Sequence, residues 1–171
     1  MTDDDLFHTT IPVFKHYNRQ IEAIVSKLDS KQAQLLTHAL VPDTFSAGEH
    51  FGVSQGYALR TVFPLLGRDV PELLPDASNA AGLLQRSRTL ADTFTAITKA
   101  DFKGSNQREI RHTAGMAELV QPAKDFVTLY AIPNFFFHLT MGYATLRSAG
   151  IEIGKGDFDG HHAYPSGFRF T

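Results

Sequence analysis

The sequence predicts an all-α protein whose helices form an up-down four-helix bundle, with a long crossover before the last helix. Four long stretches carry apolar residues at helical spacing, strand-like alternation is confined to one weak segment, and glycine or proline separates these stretches. A length of 171 residues with 43% hydrophobic residues allows a substantial core. We therefore expect residues 1–171 to form a single helical domain.

Charge and composition exclude several classes of function. The formal net charge of -2 offers no basic surface for nucleic acid. Apolar runs stay well short of the ~20 residues needed to span a bilayer, and the acidic start MTDDDLFHTT does not resemble a signal peptide. We therefore expect a cytoplasmic protein with no membrane partner. The absence of cysteine excludes disulfides, thiolate metal sites and a cysteine nucleophile, which leaves the eight histidines for metal or acid–base chemistry.

The first helix is predicted from about Thr10 to Leu28, where apolar residues form one continuous stripe. Asp29 or Ser30 caps a short second segment that ends near Ala39. These segments are expected to supply core rather than chemistry.

The second long helix is predicted from about Thr44 to Leu66, with Asp43 or Thr44 as its cap and Gly67 as its stop. A largely polar, uncharged stripe runs beside its apolar face: Ser46, His50, Val53, Ser54, Tyr57 and Thr61. Such a stripe is more typical of a cavity wall than of a solvated face. Glycine recurs at every fourth position, which indicates close helix packing: Gly48, Gly52 and Gly56.

A third helix is predicted from about Ser78 to Lys99. Residues 100–122 change to turn-rich and weakly alternating sequence, which predicts a crossover with a small hairpin around Gly115. Residues 123–131 then give a helical turn or two. The crossover leads to the last long helix.

The last helix is predicted from Pro133 to Gly150, because proline suits a first helical turn and glycine a left-handed C-cap. Asn134 and His138 lie four residues apart and therefore point the same way. Gly142, one turn further on, removes bulk beside His138. The aromatic and glycine-rich tail from residue 151 is expected to wrap the bundle or a partner subunit.

Several motifs resemble an uncharacterised family within the DinB-like, YfiT-like four-helix-bundle superfamily. They are PNFFFH, LRSAG and GKGDF at residues 133–138, 146–150 and 154–158, together with VPDTF at 41–45 and IPVF at 11–14. The resemblance implies a divalent-metal site of three histidines, one from the second long helix and two from the last. It also implies thiol-dependent chemistry, since members include transferases that use mycothiol or bacillithiol and a maleylpyruvate isomerase.

Carried onto this chain, the resemblance places the three metal ligands at His50, Asn134 and His138. Asn134 stands where the superfamily has histidine, and an amide is a much weaker ligand for nickel or zinc than an imidazole. The alternative for these three residues is a buried trio that is hydrogen-bonded without metal. Ser54, Tyr57 and Arg147 are the candidate pocket residues, with Arg147 as a clamp for an anion or simply a helix C-terminal cation.

Two classes of function remain open at this point. The first is a metal-assisted, thiol-dependent transferase or isomerase that acts on a small molecule in the bundle pocket. The second is a non-catalytic bundle that binds a small ligand or serves in a stress response and has lost the metal. A homodimer through the long helices is expected in either case, since the last helix has more apolar positions than one face requires.

Overall fold

The computed structural model describes residues 1–73, 77, 79–165 and 167–168, which fold mostly into helices with one two-stranded sheet. The helices are α1 (Asp3–Ser26), α2 (Ala47–Leu65), α3 (Ala80–Thr95), α4 (Ala123–Asp125), α5 (Ile132–Ser148) and α6 (Lys155–Asp159). Shorter segments are 3-10-helical at Gln32–Thr37, Lys99–Phe102 and Ser105–Gln107, and π-helical at Phe126–Ala131. The predicted helical fold is confirmed, but the sheet departs from a strictly all-α protein.

Helix α1 begins at Asp3, and the predicted start near Thr10 was wrong. Thr2 and Asp5 form a reciprocal capping box, in which each side chain accepts a hydrogen bond from the other residue's backbone N–H. Acidic residues in the first turn also favour the positive end of the helix dipole. The acidic start of the chain is therefore a helix signal.

Helix α2 begins later than predicted, because Ser46 caps it rather than Asp43 or Thr44. The Ser46 hydroxyl accepts from the Glu49 N–H, and the Glu49 carboxylate accepts from the Ser46 N–H. Residues 43–45 consequently lie in the loop before the helix. This places His50 in the first turns of α2, with the loop beside it.

Helix α3 is shorter than the predicted 78–99. Asn79 caps it through a hydrogen bond from the Gly82 N–H, and Thr95 is its last residue. The predicted first residue, Ser78, lies outside the described residues. The chain then continues as 3-10 turns rather than as helix.

The predicted hairpin around Gly115 is confirmed. Strand β1 (Glu109–Ala114) pairs antiparallel with β2 (Ala117–Pro122), and Gly115 takes the left-handed φ of 62° that the turn requires. Leu119 lies opposite His112 in this register. The hairpin leads through α4 and the π-helical segment directly into α5.

The four long helices pack in two main pairs, α1 with α3 and α2 with α5. Phe14 of α1 reaches Phe135 of α5 in the core, with ring centroids 4.9 Å apart. A buried polar cluster also links three helices, since Asn18 donates to the Ser87 carbonyl and Gln55 donates to the Ser87 hydroxyl. Helix α6 packs on α1, so this part of the tail lies against the bundle.

Helix α5 matches its predicted bounds closely, with Pro133 in the first turn and Gly150 left-handed at a φ of 91°. Gly142 was expected to leave open space beside His138, and this was wrong, because Phe51 of α2 occupies that space. A Cβ on Gly142 would lie 2.8 Å from the Phe51 ring and 3.1 Å from the Ala47 carbonyl oxygen. Gly142 therefore lets α2 and α5 approach closely, one turn beyond His138.

Gly142→Ala is expected to destabilise the protein by about 1–3 kcal/mol, since the buried Phe51 ring must move to admit a methyl group. Gly56→Ala is the matched control on α2, because a Cβ there would meet only the Arg60 side chain, at 3.7 Å. Its better helix propensity should raise the free energy of unfolding by up to about 1 kcal/mol. Urea denaturation of both variants measures the difference. Equal stabilities would contradict the packing assigned to Gly142.

Within the described residues, no helix has the length and apolar character needed to cross a bilayer.

Candidate functional site

The histidine pair, His50 of α2 and His138 of α5, lies where the two most closely packed long helices meet. The Nδ1 atoms of the two rings are 3.0 Å apart, and the residues are only 1% and 8% exposed. The close approach of the helices at Gly142 and Phe51 brings the rings together. The two histidines of the predicted set, which are 88 residues apart in the chain, are therefore adjacent in space.

A cavity of about 340 Å³, the histidine cavity, opens onto this pair. Its lining residues are Asp43, Thr44, Phe45, His50, Phe137 and His138. Phe45 and Phe137 are about half exposed, and each packs against the rings of both histidines. The pair thus lies at the base of a cavity with an aromatic mouth.

Both imidazoles are neutral at physiological pH. Burial, together with the neighbouring His50 and Arg60, lowers the pKa of His138 to about 4. Burial also lowers the pKa of His50, and Glu49 opposes this shift. In the contact between Nδ1 atoms, one ring donates its proton and the other accepts it.

Thr44 adjusts to either tautomer of His50. Its hydroxyl lies 3.4 Å from His50 Nε2, so it donates to a bare nitrogen or accepts from a protonated one. This contact helps to fix the orientation of the His50 ring. A partner that fixes the outer nitrogen is a common support for histidines that bind metal.

Tyr57 forms the inner wall beside His138, with its ring stacked 5.7 Å from the imidazole centroid. The Tyr130 hydroxyl donates to the Thr113 carbonyl, so Tyr57 donates its own proton to the Tyr130 oxygen, 3.3 Å away. Burial and this hydrogen bond raise the pKa of Tyr57 to about 12. Its hydroxyl therefore stays protonated, with the proton directed away from the histidine pair.

The other predicted site residues have different surroundings. The Asn134 amide donates 2.8 Å to the Tyr130 carbonyl, one turn earlier on its own helix. Ser54 is fully buried and donates to the Phe135 carbonyl, which ties α2 to α5. Arg147 is exposed, contacts the Tyr143 hydroxyl, and lines a separate cavity with residues of the tail. Nine residues of helix place it about 13 Å along α5 from His138.

Sequence reasoning missed the contribution of the loop before α2. Asp43, Thr44 and Phe45 were assigned to the helix or its cap, whereas they line the histidine cavity. The S-x-x-E pattern from Ser46 to Glu49 was the available signal, since it marks a helix start.

The separation of the histidine pair is close to that of two ligands on one divalent ion. Two nitrogens bound at 2.0–2.1 Å to a tetrahedral ion lie about 3.3–3.4 Å apart, and the two Nδ1 atoms are 3.0 Å apart. Among the described residues, no cluster of three or more histidine, cysteine, aspartate or glutamate side chains is arranged to hold a metal. The fit therefore rests on two imidazoles.

Comparison with curated proteins found no match. The chain is similar to a DinB family member protein from Shewanella denitrificans whose crystal structure is known, with 25% sequence identity and a TM-score of 0.78. The similarity covers 95% of this chain and 96% of that chain. The family described as "Domain of unknown function (DUF1993)" matches residues 6–159. The chain therefore belongs to the DUF1993 family, and its fold is DinB-like.

Proposed function

We propose that this protein holds a divalent metal, nickel or zinc, between His50 and His138 and acts on a small molecule in the histidine cavity. The proposed reaction is a thiol-dependent transfer or isomerisation. One observation carries the proposal: two buried, neutral imidazoles face each other with their Nδ1 atoms 3.0 Å apart at the base of a cavity. The DinB-like fold supports this class of chemistry by analogy.

The chain's own residues would bind the metal, orient the substrate and shield both from water. The low pKa values of the histidine pair keep both rings neutral, as metal ligands must be. A bound divalent ion would supply positive charge that polarises a substrate carbonyl and lowers the pKa of a thiol. Phe45 and Phe137 would pack against the apolar part of the substrate and exclude water. The thiol would come from a second molecule, since the chain has no cysteine.

Metal analysis of protein purified without a histidine tag tests the proposal. We expect about one equivalent of nickel or zinc per chain after incubation with the metal and removal of the excess. His50→Ala and His138→Ala should each lower this content, while His38→Ala, which removes an exposed histidine, should leave it unchanged. Equal metal content in the parent and both cavity variants would refute the proposed site.

The second candidate function is a non-catalytic bundle that binds a small ligand and has lost the metal. Two contacts favour it: the histidine pair is hydrogen-bonded internally, and Asn134 is engaged with Tyr130. On this account, metal content stays near zero. The histidine cavity would then bind an uncharged aromatic ligand whose affinity does not respond to added nickel or zinc.

The proposal includes a homodimer formed through the long helices and an up-down order of the four-helix bundle in one domain. The apolar positions of α5, which are more numerous than one buried face requires, support a partner surface on that helix. Light scattering at micromolar concentration should give twice the chain mass of 18.9 kDa. A monomer mass would remove the dimer from the proposal.

A further inference from the structure

A second cavity, the arginine cavity, lies between α2 and the hairpin. Its volume is about 300 Å³, at the lower end of the range for small-molecule sites. It is lined by Tyr57, Arg60, Pro64, Val70, Arg111, His112, Thr113, Phe126 and Tyr130. Tyr57 contacts His138 and also lines this cavity, so it stands between the arginine cavity and the histidine pair.

The charged groups that line this cavity are all positive. Arg60 and Arg111 contribute guanidinium groups, and the lining contains no carboxylate among the described residues. Within that part of the chain, neither arginine forms an ion pair. The Arg60 guanidinium lies 4.2 Å from the centroid of the Tyr57 ring, which holds it beside the cavity. Two arginines without an internal counter-charge favour an anionic ligand.

His112 supplies an unfilled acceptor at the same cavity. Its Nε2 lies 2.8 Å from the Gln121 side-chain oxygen, an acceptor, so Nε2 is the donor in this contact, and in the tautomer that carries its proton on Nε2 the other nitrogen, Nδ1, is an acceptor. That Nδ1 is buried without a hydrogen-bond partner in the described part of the structure. An unpaired buried acceptor is costly, and a donor group on a bound molecule would satisfy it.

The remaining walls are apolar or aromatic. Pro64, Val70 and Phe126 line the cavity, and the His112 ring lies 4.2 Å from the Tyr130 ring. These surfaces suit a flat, apolar body rather than an inorganic ion. We propose that the arginine cavity binds a small aromatic acid, with its carboxylate toward Arg60 and Arg111 and a donor group toward His112. This inference does not depend on a metal at the histidine pair.

The test uses 4-hydroxybenzoate, which carries a ring, a carboxylate and a hydroxyl donor, and the neutral 4-hydroxybenzamide as its matched control. Both are titrated into the full chain at low salt, with binding followed by NMR. The acid should bind more tightly than the amide. Arg60→Ala and Arg111→Ala should each raise the dissociation constant of the acid roughly tenfold, as expected for a lost charge-assisted contact. When both arginines are replaced by alanine, the acid and the amide should bind with equal dissociation constants.

Two further variants keep the test specific. Arg88→Ala removes an exposed arginine of α3 that does not line the cavity, and it should leave acid binding unchanged. His50→Ala alters the histidine cavity at a residue that does not line the arginine cavity, and it should also leave acid binding unchanged, whether or not the protein binds metal. The proposal is overturned if the acid fails to bind, if acid and amide bind equally to the parent, or if acid binding depends on His50 and not on Arg111. The last outcome would assign the acid to the histidine cavity.

Discussion

Replacing His138 by alanine should lower the affinity for nickel or zinc more than about a hundredfold, since even residues that only support a metal ligand are typically worth 10–100-fold. His50→Ala should have a similar effect. The Nδ1 atoms of His50 and His138 lie 3.0 Å apart, and removal of either ring leaves only one imidazole to bind the metal. Competitive titration against a chromophoric chelator measures both affinities on protein without a tag.

Two controls separate ligand loss from unfolding. Far-ultraviolet circular dichroism should show that the alanine variants keep the helical content of the parent. His38→Ala removes an exposed histidine between the 3-10 segment and α2, and it should leave the affinity unchanged. An affinity that survives the loss of either cavity histidine would contradict the shared site.

Asn134→His is expected to raise the affinity for the metal. Asn134 lies one turn before His138 on α5, so a histidine there adds a third imidazole to the same side of the helix. We expect zinc or nickel affinity to rise roughly tenfold or more, which corresponds to about 1.4 kcal/mol. If the variant folds and its affinity equals that of the parent, then position 134 does not face the metal site.

Acidification should destabilise the metal-free protein through His138. The pKa of His138 is about 4 in the folded state, below its ordinary value of 6.5, because burial disfavours the charged ring and His50 and Arg60 lie nearby. Between pH 6.5 and pH 4, His138 is therefore protonated in the unfolded chain but stays neutral in the folded chain. The free energy of unfolding keeps its full value above pH 6.5 and decreases as the pH falls toward 4. At pH 5 the expected loss is about 2 kcal/mol.

Urea denaturation in the presence of a chelator at pH 8 and pH 5 measures this loss. His138→Gln removes the titrating ring, so the variant should lose less stability than the parent between the two pH values. His38→Gln is the matched control and should behave like the parent, because His38 is exposed. Identical losses in the parent and in His138→Gln would exclude His138 as the source.

The helical fold was predictable because the periodic apolar residues that define it are also those that pack. Helix α5 is the clearest case at its C-terminal end, since Gly150 takes the left-handed conformation that ends it. At its start, helical backbone continues from the π-helical segment into α5, so Pro133 lies at a change of helix type. The starts of α1 and α2 were misjudged for one reason. In each case a capping box, Thr2 with Asp5 and Ser46 with Glu49, decided the first residue.

The candidate site was predictable only in part. His50 and His138 were identified through the inward register of their helices and a family resemblance, and they meet at 3.0 Å. The cavity wall could not be predicted in the same way, because Asp43, Thr44 and Phe45 reach it from a loop without periodicity. The arginine cavity was also missed, since Arg111 and His112 join it only when the hairpin lies beside α2.

Anomalous diffraction from crystals of the untagged protein soaked in zinc would locate the metal directly. We expect one peak within bonding distance, about 2.0–2.1 Å, of Nδ1 of both His50 and His138. A peak bound elsewhere, or no peak at this pair at a zinc concentration that saturates binding in solution, would contradict it.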